Sequence, residues 1–187
     1  MNEHQATNDR VILVDKDDNE VGAMSKLEAH REARLHRAFS VFVCNSRNEL
    51  LLQKRALDKY HSGGLWTNTC CSHPSPGETV LDAARRRLRQ EMGFDCPLRE
   101  IFTFLYQVDF SNGLTEHELD HVLIGTHEGD PAPNPQEVEA WKWVPLQELR
   151  QDISQNPGRY SYWLRICIND PRFEQLLIRA GARSSRE

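Results

Sequence analysis

Apolar and polar positions change period several times along the chain, and the changes predict its elements. Val11–Val14 is a short apolar run, read as a strand before the turn-like Asp15–Asn19. Ser25–Leu35 predicts a helical stretch. Ala38–Cys44, rich in Val and Phe, predicts a strand; Ser46–Asn48 turns and Leu50–Gln53 returns as its hairpin partner. Lys59–Gly64 is a loop with two glycines. The helical period is clearest in Thr79–Met92, where Leu81, Ala84, Leu88 and Met92 form one stripe and Gly93 supplies a stop. Ile101–Phe110 and Glu118–Thr126 predict paired strands joined by Ser111–Thr115. Asp130–Pro135, with three prolines, is a loop, and Ala140–Val144 is a strand. Pro145–Ile153, Tyr160–Ile168 and Pro171–Arg179 predict terminal helices. Mixed elements, antiparallel hairpins and no regular βαβ alternation predict an α+β fold in one domain.

Composition narrows the class. A chain of 187 residues suits a single domain, and burial of about 70% of its unfolded surface makes disulfides unnecessary. The 23 basic and 28 acidic residues leave a net charge of -5, which argues against a general nucleic-acid binder. No apolar run approaches the roughly 20 residues of a membrane span. The opening MNEHQATNDR lacks the apolar core of a signal peptide. These first ten residues and Gly181–Glu187 are expected to be loose. Cysteine occurs five times, at Cys44, Cys70, Cys71, Cys96 and Cys167. An odd number with two adjacent residues points to reduced thiols and a cytoplasmic location. Net acidity would conflict with an anionic substrate unless the site is locally basic.

Three constellations carry candidate chemistry. In Trp66-Thr-Asn-Thr-Cys-Cys-Ser-His-Pro74, a strand would put Cys71 and His73 on one face, and a tuned thiol serves as acid or base. His30, His36, His73, Glu116 and Glu118 form a mixed nitrogen and oxygen set suited to Zn²⁺, Mn²⁺ or Fe²⁺. Each has a plainer reading alone: helix-end histidines are usually caps, and Glu-x-Glu is usually a solvated strand edge. The third runs from Gly77-Glu78 into Arg85–Gly93. Arg85 and Arg89 read as a solvated face, and Arg87 and Glu91, four apart, can pair with each other.

That third block resembles the helix of the Nudix superfamily, whose glutamates hold Mg²⁺ beside a diphosphate. Arg87 and Gln90 stand where the superfamily has glutamates, and Ser72 stands where its pattern opens with glycine. Glu78 and Glu91 remain. Hydrolysis needs enough carboxylates to hold metals and activate water, so the pattern predicts a Nudix scaffold without diphosphate hydrolysis. Arg34-Leu-His-Arg-Ala-Phe-Ser40, Leu65–Pro74, the altered helix and Glu116-x-Glu118 occur in the order seen in the type I isopentenyl-diphosphate isomerase family. The resemblance runs from about Val11 to Ile168.

It implies an α/β Nudix-like sandwich with a mixed sheet flanked by helices. The catalytic core would span about 36–155, with residues 1–35 covering the site and C-terminal helices over about 156–180. It implies isomerisation of isopentenyl diphosphate to dimethylallyl diphosphate in isoprenoid biosynthesis. His30, His36, His73, Glu116 and Glu118 match the ligands of one Mn²⁺ or Zn²⁺, and Glu91 matches the ligand of an Mg²⁺ that meets the diphosphate. Cys71, Glu118 and Tyr106 match catalytic residues. Lys26, Arg55, Lys59 and Arg87 match cations around the diphosphate, and Trp163 matches the tryptophan facing the hydrocarbon. The loop Tyr60–Gly64 departs from the family, with Ser62-Gly63 where many members have an aromatic residue and proline. A monomer with a small-molecule substrate, no nucleic acid and no membrane partner is expected. The rivals are a Nudix-type diphosphate hydrolase and a non-catalytic metal-binding or scaffold protein; the second leaves Cys71, Trp163 and the cations unexplained.

Overall fold

The computed structural model describes residues 9–59, 61–175 and 177. The expectations for residues 1–8 and for Gly181–Glu187 lie outside them, as do 176, 178 and 179 of the expected last helix; residues 171–175 are helical. Strand β1 (Arg10–Val14) pairs antiparallel with β2 (Glu20–Ser25). β2 and its successor correct the helix expected over Ser25–Leu35. Ser25 ends the strand and caps the short helix α1 (Lys26–Arg31). Its hydroxyl accepts from the Glu28 N–H at 3.3 Å and donates to Glu28 Oε2 at 2.7 Å, an N-cap braced by the glutamate three residues on. Ala33 then takes a left-handed φ of 52°, which stops the helix and frees Leu35 for the next strand.

The central strand β3 (His36–Cys44) runs parallel to β8 (Thr115–Thr126) along its whole length. On its other side it pairs antiparallel with β6 (Cys70–Ser72). The expected hairpin return is corrected too. β4 (Glu49–Arg55) meets β3 at the single pair Cys44↔Leu50 and then pairs with β9 (Val138–Pro145) and with β5 (Trp66–Thr67). Thr69 fills the gap: its hydroxyl accepts from Val43 N–H at 2.9 Å and donates to the Leu51 carbonyl at 2.7 Å. β7 (Leu98–Asp109) and β8 form the expected antiparallel pair, each strand longer than the apolar run suggested.

Helices cover both faces of this mixed sheet, as an α+β sandwich requires. On one face α2 (Val80–Met92) packs Ala83, Ala84, Leu88 and Met92 against Phe39, Val41, Val43 and Leu123. Thr79 caps α2 by accepting from Asp82 N–H at 3.1 Å. Its first turn is exposed at Thr79, Leu81 and Asp82, so Leu81 does not belong to the buried stripe; Ala83 takes its place. Gly93 ends the helix at φ 77°, and a Cβ there would meet the Ala132 carbonyl oxygen at 2.2 Å. On the other face α3 (Leu146–Gln155) and α4 (Tyr162–Asn169) pack on Phe42, Cys44, Leu50, Leu52, Val122 and Ile124. No helix among the described residues is long and apolar enough to cross a membrane.

Candidate active site

The face under α4 changes character along β3 and β8. Phe42 and Ile124 are apolar partners, but two residues back Ser40 donates to Asp120 Oδ2 at 2.8 Å, and at the strand start His36 pairs with Glu118. Alternation thus carries one sheet face from core to polar site within six residues. Lys26, Ser40, Arg55, His61, Cys71, His73, Tyr106, Glu116, Glu118, Asp120 and Trp163 line one cavity there, with Phe39 and Ser72 completing it. Its volume is about 40 Å³. That is room for a water or two.

His30, His36, His73 and Glu118 offer ligand atoms that all lie within 4.8 Å of one another. His36 Nδ1 donates to the Arg34 carbonyl at 2.8 Å, which turns Nε2 toward the cluster. This Nε2 is buried, has no hydrogen-bond partner among the described residues, and lies 3.4 Å from Glu118 Oε1. His73 Nε2 is 3.0 Å from the same oxygen, and His30 Nε2 is 4.0 Å from it. Burial, then the neighbouring imidazoles, lowers His30 to about 2; burial, then Lys26, lowers His73 to about 4. Both are therefore neutral, the form that ligates. Three imidazoles around one carboxylate are a fitting donor set for a divalent metal. Glu116, the fifth expected ligand, lies outside this group and turns toward Tyr106 and His61.

Tyr106 sits between the two glutamates. Its hydroxyl is 2.6 Å from Glu118 Oε2 and 3.0 Å from Glu116 Oε2. Burial would keep Glu118 protonated, but its contacts with His36 and His73 overcome this and set it well below the usual carboxylate range. Burial and the Glu118 charge push Glu116 well above that range. The two carboxyls are thus pushed in opposite directions. The Tyr106 hydroxyl is placed to donate to either carboxylate and so links the two as a relay. Burial, then the two glutamates, raises Tyr106 itself.

Cys71 faces the same cavity from β6, whereas Cys70 is fully buried against α2. Burial pushes the Cys71 thiol up to about 12 against the opposing charge of Arg55, so it stays protonated. Arg55 Nη1 lies 3.7 Å from Cys71 Sγ, and its guanidinium carbon lies 5.5 Å from the centre of the Trp163 ring. Buried Asn68 holds these parts together. Its side-chain oxygen accepts from Trp163 Nε1 at 2.9 Å, and its amide donates to the carbonyls of Val41 and Cys70 at 3.1 and 2.7 Å.

The other expected substrate cations lie apart from the cavity lining. Lys59 pairs with Glu137; Arg87 pairs with Glu91 at 2.6 Å and with Glu137 at 3.3 Å. Glu91 Oε2 accepts from Gln53 Nε2 at 2.8 Å. Elsewhere on α2, Arg85 and Arg89 pair with Asp95, and Arg86 holds Glu78 with two bonds of 2.7 Å. Sequence reasoning missed His61, Ser40, Asp120, Asn68 and Glu137. His61 stacks on Phe110 with ring centres 5.0 Å apart, and its Nε2 is 3.3 Å from Glu116 Oε1. The unusual composition of its loop was the available signal.

The NUDIX domain family matches residues 34–164. An isopentenyl-diphosphate Delta-isomerase 2 of Aromatoleum aromaticum is 53% identical over 178 residues, 95% of this chain and 94% of that protein. An isopentenyl-diphosphate Delta-isomerase 1 of the same organism is 56% identical over 161 residues, covering 86% of this chain and 91% of that one. The isopentenyl-diphosphate Delta-isomerase of Serratia proteamaculans is 46% identical over 160 residues, 86% of this chain and 89% of that one. A crystal structure of a Deinococcus radiodurans protein superposes with a TM-score of 0.68 at 21% identity, covering 91% of this chain and 98% of the other, a likeness of fold alone.

Proposed function

The chain belongs to the NUDIX domain family and, within it, to the isopentenyl-diphosphate Delta-isomerases; from that premise we propose how its residues convert isopentenyl diphosphate to dimethylallyl diphosphate. The reading is carried by one observation: a thiol, a carboxylate hydrogen-bonded to a tyrosine hydroxyl, and an indole line one cavity. The substrate double bond is unactivated, so a proton must be added to carbon at one end and a different proton removed at the other.

Cys71 is the donor. Its S–H bond breaks as a C–H bond forms at the terminal carbon, and positive charge develops on the tertiary carbon. Trp163 faces that charge; an indole stabilises a desolvated cation by about 2 kcal/mol. The position of the Arg55 guanidinium near this ring supports its use as a cation seat. Glu118 then takes the proton from the neighbouring carbon, the C–H electron pair becomes the new double bond, and Tyr106 relays the proton onward. Exchange with solvent returns a proton to Cys71. Burial of the cavity keeps water from capturing the cation.

His30, His36, His73 and Glu118, with Glu116 beside them, would hold Mn²⁺ or Zn²⁺, and Glu91 would hold Mg²⁺ at the diphosphate. Bound metal at the histidines would fix Glu118 in place and favour its charged form. Lys26 and Arg55 line the cavity and would meet the diphosphate with positive charge. The five free cysteines support a reducing, cytoplasmic setting, and a monomer suffices for this site. The hydrolase alternative is disfavoured by Arg87 and Gln90, which stand where the Nudix pattern has glutamates and leave fewer carboxylates to hold metals and activate water. Incubation with isopentenyl diphosphate and Mg²⁺ tests the reading: dimethylallyl diphosphate should appear without phosphate release. Release of phosphate or pyrophosphate without allylic product would favour the hydrolase.

A further inference from the structure

Lys59 and Arg87 both hold one carboxylate, that of Glu137. Glu137 Oε2 pairs with Lys59 Nζ, and Oε1 lies 3.3 Å from Arg87 Nη2. Main-chain bonds fix this glutamate in place. Its carbonyl accepts from Ala56 N–H at 3.0 Å, and its N–H donates to the Asn134 carbonyl at 2.9 Å. Asn134 N–H in turn donates to the carbonyl of Glu91 at 2.9 Å. Ala56 follows Arg55, a cavity-lining residue, so the cluster adjoins the site. Burial works against the Glu137 charge, but Lys59 and Arg87 outweigh it and hold the carboxyl below its ordinary value.

The charges cancel. Lys59 and Arg87 bring two positive charges; Glu91 and Glu137 bring two negative ones. As it stands the cluster offers an anion no net attraction. Arg87 Nε is nevertheless a buried donor without an acceptor among the described residues, so hydrogen-bonding capacity remains for a larger anion.

We propose that Glu137 occupies the anion seat between Lys59 and Arg87 and yields it to the substrate diphosphate, acting as an internal competitor that sets affinity and selects against weakly charged anions. The inference rests on the diphosphate reading above. A carboxylate in the seat keeps two half-buried cations compensated when substrate is absent. A ligand must then bring more charge than one carboxylate to displace it, which discriminates by penalising the wrong ligand. A clamp that merely positioned Lys59 and Arg87 would have the opposite effect on binding when neutralised.

Titration calorimetry with inorganic pyrophosphate in Mg²⁺ buffer separates the two. Glu137→Gln is expected to bind pyrophosphate about tenfold more tightly than wild type, with Glu137→Asp shifted the same way by less. In a Lys59→Gln background the gain from Glu137→Gln should shrink. Unchanged or weaker binding by Glu137→Gln, or by Glu137→Asp if the first variant does not fold, overturns the proposal. A wild-type protein that binds no pyrophosphate overturns the diphosphate reading itself, and the proposal with it.

Discussion

Trp163 Nε1 donates to Asn68 Oδ1 at 2.9 Å, so the indole of α4 and the strand carrying Cys71 hang on one buried amide. Thr67 Oγ1 adds a bond to the same oxygen at 2.8 Å. Asn68→Ala leaves the indole N–H unpaired, a loss of about 1–3 kcal/mol. Urea unfolding should show it, together with a drop in turnover. An Asn68→Ala protein as stable and active as wild type would remove Asn68 from the account.

The imidazole cluster yields a prediction about metal content. His73→Ala and His36→Ala should lose bound metal by elemental analysis after purification. His117→Ala is the control: His117 Nδ1 contacts the Ala33 carbonyl, and the residue is outside the cluster. Equal metal in all three variants would place the ion elsewhere. Chelation should also lower the melting temperature of wild type, because a ligand bound to the native state stabilises it.

Tyr106 gives a kinetic prediction. Tyr106→Phe keeps the ring and removes the hydroxyl between Glu116 and Glu118. Turnover should fall by about a hundredfold or more, with the KM for substrate little changed. A KM effect alone would mean that the hydroxyl binds substrate and relays nothing.

His61 sets a pH prediction for stability. Burial, then Arg55 and Lys26, lowers its folded-state value from 6.5 to about 3. The unfolded chain takes up this proton near pH 6.5, but the folded chain refuses it until about pH 3. Stability is therefore full above pH 6.5 and falls as pH drops through the window below it. His61→Phe keeps the stack on Phe110 and loses the titration. The stability of wild type relative to this variant should decline by about 1 kcal/mol per pH unit between pH 6 and 5. A constant difference would show that His61 is not held neutral.

Local pattern made the fold class and much of the site legible. The α2 helix announced itself by its period and by Gly93, and the β7–β8 pair by its turn. What stayed hidden depends on single side chains acting at a distance. The β3–β4 hairpin looks continuous in sequence, yet the Thr69 hydroxyl opens it by serving both edges. Helix α1 is shorter than its pattern because Ala33 adopts a left-handed turn that alanine does not advertise. Cys71, His73, Glu116 and Glu118 were legible because their spacing and their order along the chain resemble a known family. His61 and Glu137 were not, because each draws its meaning from charges brought in by other elements.

Deuterium tracing tests the central claim, that Cys71 donates one proton and Glu118 removes another. Isopentenyl diphosphate incubated in D₂O with Mg²⁺ and wild-type protein should yield dimethylallyl diphosphate carrying deuterium in a methyl group, seen by NMR. Cys71→Ala should yield none, while Cys70→Ala should behave as wild type. Deuterated product formed by Cys71→Ala at the wild-type rate would contradict the account.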